Sequence, residues 1–315
     1  MTWQHLQWLA WAKGHAPILI GPWRSEVGFE TLYWLPWLAQ WRVRYKIPPS
    51  RLIAISRGGA GAWYDTAKAV DLYDYVPVAS VRQAMTRDAH RTGSVKQQRM
   101  TDWERTLLPL IAHDLGIRRY HVLHPSVMYQ ELTPWWEGHI GMKATLQALA
   151  FGPAPTLPVV PLSIALPEKF MAVKFYARHT WPFSEELHTW TANLVDSVAK
   201  RLPVVLLESG LHADEHVDFP LSGPNITSLA PFVTTQNHLA IQSAVLARAQ
   251  AFVGTYGGMM QLAVRLKKAA VGFYTQFGGT AYAHKALTEW LGVQQQTPVF
   301  IGRPDDARFV REATG

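Results

Sequence analysis

The sequence predicts an α/β protein made of two doubly wound, Rossmann-like domains facing a cleft. Three observations carry this expectation. Strand-length apolar runs alternate with helix-period segments in both halves of the chain. Residues 151–167, FGPAPTLPVVPLSIALP, separate the halves, because prolines at 153, 155, 158, 161 and 167 suit neither a helix nor a central strand. Residues 251–274, AFVGTYGGMMQLAVRLKKAAVGFY, read as strand, glycine turn, helix and strand, which is a parallel βαβ unit. The expected domains are therefore 1–158 and 159–315.

Taken in order, the first strand is 17–21, an Ile-Leu-Ile run closed by Gly21 and Pro22. A helix is expected over about 28–44, followed by a strand at 51–56 that ends in the Ser56-Arg57-Gly58-Gly59 turn. A helix over 60–70 and a strand at 75–78 come next. Residues 82–99 are polar and basic without a convincing apolar period, and read as a mobile loop on the acceptor side or a surface for anionic membrane or substrate. A helix at 102–116, a strand at 120–124 and a helix at 141–150 complete the first half. In the second half, strands are expected at 170–176, 204–208, 226–229, 251–254 and 270–274. Helices at about 184–200, 237–249, 259–267 and 280–291 alternate with them. Residues from Pro304 onward read as a short helix.

Composition narrows the class. The chain has 315 residues, 48% of them hydrophobic, enough for two cores and too apolar for disorder. It contains no cysteine, so a disulfide framework and a thiol nucleophile are excluded, and a cytoplasmic setting is expected. No apolar run approaches the ~20 residues that cross a bilayer, and the N-terminus has no secretory pattern. Residues 1–158 hold 17 Lys and Arg against 11 Asp and Glu; residues 159–315 hold 13 against 12. Eight of the 14 tryptophans lie between Trp3 and Trp63. A basic, Trp-rich half suits a sugar polymer, or peripheral contact with the inner face of a membrane. Nucleic acid is not expected as a partner, since the basic excess is modest and no recognition motif is present.

The candidate chemistry sits at strand ends. The turn Thr255-Tyr256-Gly257-Gly258-Met259 aims backbone N–H groups and a helix dipole at one point, a site for phosphate. Lys174 and Arg178 end the first strand of the second half, where open α/β sheets bind ligands. A Lys in a buried strand needs an anion, either a diphosphate or Glu208 on the neighbouring strand. In the first half, Gly21-Pro-Trp-Arg24-Ser-Glu26-Val-Gly-Phe-Glu30 forms a strand-to-helix loop, and Arg57 lies in a second one. His212, Asp214, Glu215, His216 and Asp218 have metal-ligand residue types, but no sequence-distant ligand accompanies them, so a solvated loop touching base or ribose is expected instead.

With these residues in view, the second half resembles the nucleotide-sugar-binding domain of GT-B glycosyltransferases, particularly the heptosyltransferase-like branch. The likeness rests on the basic strand end before Trp181-Pro182, on Pro203-Val-Val-Leu-Leu-Glu-Ser-Gly210, and on Gly254-Thr-Tyr-Gly-Gly-Met259 leading into a helix. Tyr256 and Gln261 depart from the Asp and His common in that branch. The Gly21–Glu30 segment is similar to the first loop of related chains. The resemblance implies transfer of a sugar from a nucleoside diphosphate to the hydroxyl of a saccharide or glycolipid acceptor, with the nucleotide-sugar as co-substrate, no other cofactor and no metal. It further implies donor phosphate on Lys174, Arg178 and Thr255–Met259, and nucleotide on Glu208 and Gln261. Glu26 is the first candidate base and Glu30 the second, with Arg24 and Arg57 touching acceptor or phosphate. The rival expectations are a non-catalytic glycan- or polyanion-binding protein on the same fold, and a nucleotide-sugar epimerase or hydrolase.

Overall fold

A computed structural model of the chain describes residues 3–92, 96–152, 164–178, 180–211, 217–278 and 281–306. The chain divides into two compact units. One is Met1–Pro158 with Thr235–Leu239, and the other is Val159–Thr234 with Ala240–Gly315. Both are α/β with parallel sheets.

The first unit contains β1 (Ile18–Ile20), β2 (Leu52–Ser56), β3 (Lys68–Asp71) and β4 (His121–Leu123), hydrogen-bonded in the order β3-β2-β1-β4. Every pairing is parallel; Ile18 registers with Leu52 on one side and His121 on the other. The sheet is flanked by α1 (Trp3–Lys13), α2 (Val27–Phe29), α3 (Leu35–Tyr45), α4 (Val78–Thr92), α5 (Asp102–Asp114), α6 (Ser126–Trp136) and the short α7 (Met142–Thr145). Between α2 and α3, Glu30–Trp34 forms a π-helical turn, with the Leu35 N–H reaching back to the Glu30 carbonyl. Leu19, Ile53, Ile55 and Val70 from the strands pack with Val81 of α4 and Leu107, Leu108 and Ile111 of α5.

The aromatic residues fill a core rather than a ligand surface. Trp23 stacks with Trp34, Trp34 with Trp37 and Trp37 with Trp41, at centroid separations of 6.0, 5.5 and 6.4 Å. Trp8, Trp11 and Trp63 are also buried, and Trp3 alone of the eight tryptophans in this stretch is exposed. The expected sugar-stacking surface is therefore corrected for the other seven. Burial of these large rings supplies much of the apolar area that holds the unit together.

Three further expectations change. The 60–70 segment is a single turn of 3-10 helix at Ala60–Trp63 followed by β3, and no strand forms at 75–78. The basic segment expected as a loop is α4 over Val78–Thr92, which buries Val81 and Ala84. Helices α1 and α6 were not expected.

The second unit holds β5 (Met171–Lys174), β7 (Val204–Leu206), β9 (Ile226–Ser228), β10 (Ala251–Thr255), β11 (Ala269–Phe273) and β12 (Val299–Gly302). Their order is β12-β11-β10-β5-β7-β9, all parallel. Counted by rank along the chain, this is 6-5-4-1-2-3, the doubly wound order whose direction reverses between its first and fourth strands. A two-stranded antiparallel ribbon, β6 (Tyr176–Ala177) with β8 (Val217–Asp218), stands just beyond the end of β5. Helices α8 (Glu185–Ala199), α9 (His238–Arg248), α10 (Gly258–Arg265) and α11 (Ala281–Gln295) connect the strands. Phe175, Trp181, Val195, Val204, Phe219, Val253 and Phe273 make the core. The proline-dense stretch, the His212–His216 cluster and the expected C-terminal helix lie largely or wholly outside the described residues.

Candidate functional site

Reversal of strand order opens a crevice at the carboxyl ends of the two strands flanking the switch point. In the second unit these strands are β5 and β10, and they deliver Lys174 and the Thr255–Gly258 turn to adjacent positions; Gly254 registers with Lys174. Lys174 Nζ is 3.1 Å from Asp218 Oδ1 and donates to the Leu207 carbonyl at 3.0 Å. The anticipated intramolecular partner, Glu208, is thus replaced by Asp218, which also accepts from the Ser209 N–H at 3.3 Å. In the sequence Asp218 reads with its acidic neighbours as part of a solvated loop. The β6–β8 ribbon is what carries it back to the lysine. Glu208 follows β7 and is half-buried.

The turn itself is tightly fastened. Thr255 Oγ1 accepts from the Tyr176 N–H at 3.1 Å, and the Tyr256 N–H donates to Phe273 at 2.8 Å. Tyr256 and Gln261 are buried side by side, with Gln261 Nε2 3.5 Å from the Tyr256 hydroxyl. Gly257 precedes α10, and a Cβ there would collide with the Tyr176 hydroxyl. This phenol was not among the expected site residues, and it lies at the entrance to the first turn of α10. A Cβ at Gly254 would likewise run into the Lys174 carbonyl, so both glycines answer to close packing. Met259 is buried. Arg178 is half-buried and closes a turn by exchanging backbone hydrogen bonds with Trp181, each 2.9 Å.

In the first unit the switch point lies between β1 and β4, and the Gly21–Glu26 loop leaves the end of β1 through a cis Gly21–Pro22 bond. Arg24 is buried rather than available to a ligand. Its Nε donates to Glu104 Oε1 at 2.9 Å, a second nitrogen pairs with Asp88, and its backbone N–H donates to Gln97 at 3.1 Å. Glu104 also accepts from Gln97 Nε2 at 3.0 Å and from the Thr101 N–H and hydroxyl at 2.7 and 2.9 Å. His124 Nε2 lies 3.2 Å from the same carboxylate, while its Nδ1 accepts from the Ser126 N–H. Burial pushes the Glu104 pKa up, but His124, Arg24 and the Thr101 N–H outweigh it and hold the group at about 2.

Glu30, the second candidate base, and Arg57, the candidate acceptor or phosphate contact, form a second internal cluster. Glu30 is fully buried and accepts from Ser56 Oγ at 2.8 Å, Tyr64 OH at 2.5 Å and Arg57 at 2.8 Å. Arg57 also donates to the Ser25 carbonyl. Burial raises the Glu30 pKa by more than Arg57, Tyr64 and Ser56 lower it. Glu26, between these two clusters, keeps partial exposure; its carboxylate is 3.5 Å from Lys96 Nζ, which sits 3.5 Å over the Phe29 ring. The loop bearing Glu26 is therefore pinned on both flanks by buried charge, with Glu26 its accessible carboxylate. Among the described residues, no three His, Asp or Glu side chains gather into a group able to hold a metal ion.

Glycosyltransferases are among the solved structures that this chain resembles. They include the E. coli heptosyltransferase WaaC with ADP, at 14% identity and TM-score 0.43 over 95% of this chain and 100% of that one. The family 9 glycosyl transferase from Veillonella parvula matches at 11% identity and TM-score 0.46, over 95% and 89%. The iron-containing dodecameric glycosyltransferase TibC from enterotoxigenic E. coli matches at 10% identity and TM-score 0.44, covering 82% of this chain and 59% of TibC. No family model matches the chain, and no curated protein matches it in sequence.

Proposed function

We propose that this chain is a GT-B glycosyltransferase that moves a sugar from a nucleoside diphosphate to a hydroxyl of a saccharide or glycolipid, without a metal. One observation carries the reading: at the switch point of the second sheet, β5 ends in Lys174 in register with Gly254 of β10, just before the turn that leads into α10. As the glycosidic bond to the diphosphate breaks, negative charge grows on the leaving oxygen. A fixed ammonium and the first-turn N–H groups of a helix stabilise that charge without reorganising. In this reading Lys174, Arg178 and the Thr255–Met259 turn hold the diphosphate, and Glu208 and Gln261 meet the nucleoside. Glu26 takes the proton from the acceptor hydroxyl. Arg24, Glu30 and Arg57 act through the loop that carries Glu26, not on substrate. The setting is cytoplasmic, at or near a membrane's inner face.

A second reading, a binding protein on the same fold, draws on two contacts. Asp218 already compensates Lys174, and the Tyr176 phenol already lies against Gly257. For transfer, the diphosphate must compete with Asp218 and displace the phenol. The two readings separate in a thermal-shift screen against UDP, GDP, ADP, CMP and TDP, with and without EDTA. The transferase reading expects one nucleotide to raise the melting temperature of the native chain, indifferent to EDTA, and not that of Lys174→Ala. A flat response to all five in folded protein refutes it in favour of glycan or polyanion binding.

A further inference from the structure

Helix α1 carries a surface that the core does not use. At about 100° per residue, Trp8 and Trp11 point inward, where Trp8 meets Trp37, Trp41 and Tyr45 edge-on. The opposite arc gathers Trp3, Leu6, Leu9, Ala10 and Lys13. Trp3 is 82% exposed, Leu6 46% and Leu9 37%, so the helix shows an apolar stripe to solvent as well as to the core. A tryptophan this exposed is costly in water and favoured where one side is wet and the other apolar.

The charged side chains placed near α1 are mostly basic, with Glu131, which accepts from Trp37 Nε1 and acts on Tyr45, the acidic one among them. Residues 1–25 contain no Asp or Glu. Lys13 closes the last turn of α1, and beside it Arg51 donates to the carbonyls of Trp11 and Ala16. At the other end, His5 meets the Tyr45 hydroxyl at 2.5 Å, and Arg44 lies 5.8 Å from the Tyr45 ring. We propose that this face of α1 docks the chain on an anionic lipid surface, the helix lying in the plane of the interface. Its 11 residues are too few to cross, and among the described residues no helix is long and apolar enough to do so. An apolar stripe bordered by cations is complementary to acyl chains beneath anionic headgroups. A second copy of this chain is a poorer occupant, because a two-fold contact on this face would gather two copies each of Lys13, Arg44 and Arg51 against two of Glu131. The proposal stands independently of sugar transfer.

The test is co-sedimentation of the full chain with vesicles of phosphatidylcholine alone or mixed with phosphatidylglycerol. The expected result is binding that needs phosphatidylglycerol and weakens with salt. Leu6→Gln combined with Leu9→Gln is expected to lower the partition coefficient by roughly tenfold or more, and Lys13→Glu to lower it separately. These side chains are exposed, so the parent melting temperature is expected in each variant. Equal binding of parent and variants overturns the proposal, as does equal binding to pure phosphatidylcholine or no binding at all. Self-association of the parent that the Leu6/Leu9 variant abolishes also overturns it, assigning the face to a second copy.

Discussion

Replacing Glu104 by Gln tests whether the Gly21–Glu26 loop is held by charge. The carboxylate is buried among Arg24, Gln97, Thr101 and His124, and its pKa falls from the ordinary 4.5 to about 2. At ~1.4 kcal/mol per pKa unit, that shift corresponds to about 3 kcal/mol of stability. Removing one member of a buried ion pair independently costs about 3–5 kcal/mol, so the two routes agree. Because the folded value is the lower one, the unfolded chain takes up the proton first. The contribution is complete above pH ~4.5 and is lost as pH falls through about 2. Urea unfolding followed by tryptophan fluorescence, at intervals from pH 6 to 2, measures this directly. The parent should exceed Glu104→Gln by about 3 kcal/mol at pH 6, with the gap closing toward pH 2. Parallel curves at every pH would refute the assignment, because other carboxylates titrate equally in both proteins.

Glu30→Ala strands Arg57, Ser56 and Tyr64 and should cost about 3–5 kcal/mol in the same assay. The pH signature of Glu30 is opposite to that of Glu104: with its folded pKa raised, its contribution declines as pH rises past 4.5. Gly257→Ala should cost about 1–3 kcal/mol by forcing a methyl against the Tyr176 hydroxyl. Most of that loss should return in the double variant with Tyr176→Phe, as a double-mutant cycle would show. Glu26→Gln should abolish sugar transfer while leaving the nucleotide-induced rise in melting temperature intact; turnover at the parent rate would remove Glu26 as the base.

The second unit was the more legible half, for reasons visible in its residues. Val204–Leu206, Ala251–Thr255 and Ala269–Phe273 are central strands, and their apolar runs say so. β3 and β12 are edge strands; β3 has Lys68 and Ala69 exposed and buries only Val70, which leaves little apolar signal. The sequence of α4 reads as a loop because its inward face is Val81, Ala84 and an Asp88 that pairs with Arg24, instead of large apolar side chains. α6 does repeat Met128, Leu132 and Trp135 at helical spacing, with Pro134 obscuring its end. For the candidate site, strand-end positions could be read from one dimension, but pairings could not. That Asp218 answers Lys174, or that Glu104 answers Arg24 across 80 positions, depends on a ribbon and a capping box that bring distant segments together.

The π turn at Glu30–Trp34 has a consequence for how this helix tolerates length changes. A π turn holds one residue more than an α turn, so the segments on either side are out of phase by about 100°. That offset lets Glu30 face Ser56 and Arg57 on one side while Trp34, Trp37 and Trp41 keep a single stacked column on the other. Deleting one of Thr31, Leu32 or Tyr33 would therefore close the turn into a regular helix with both flanks near their present phase, keeping the carboxylate on its guanidinium and the indole column in place. Regularising the turn with all its residues kept would instead rotate one flank by about 100° against the other.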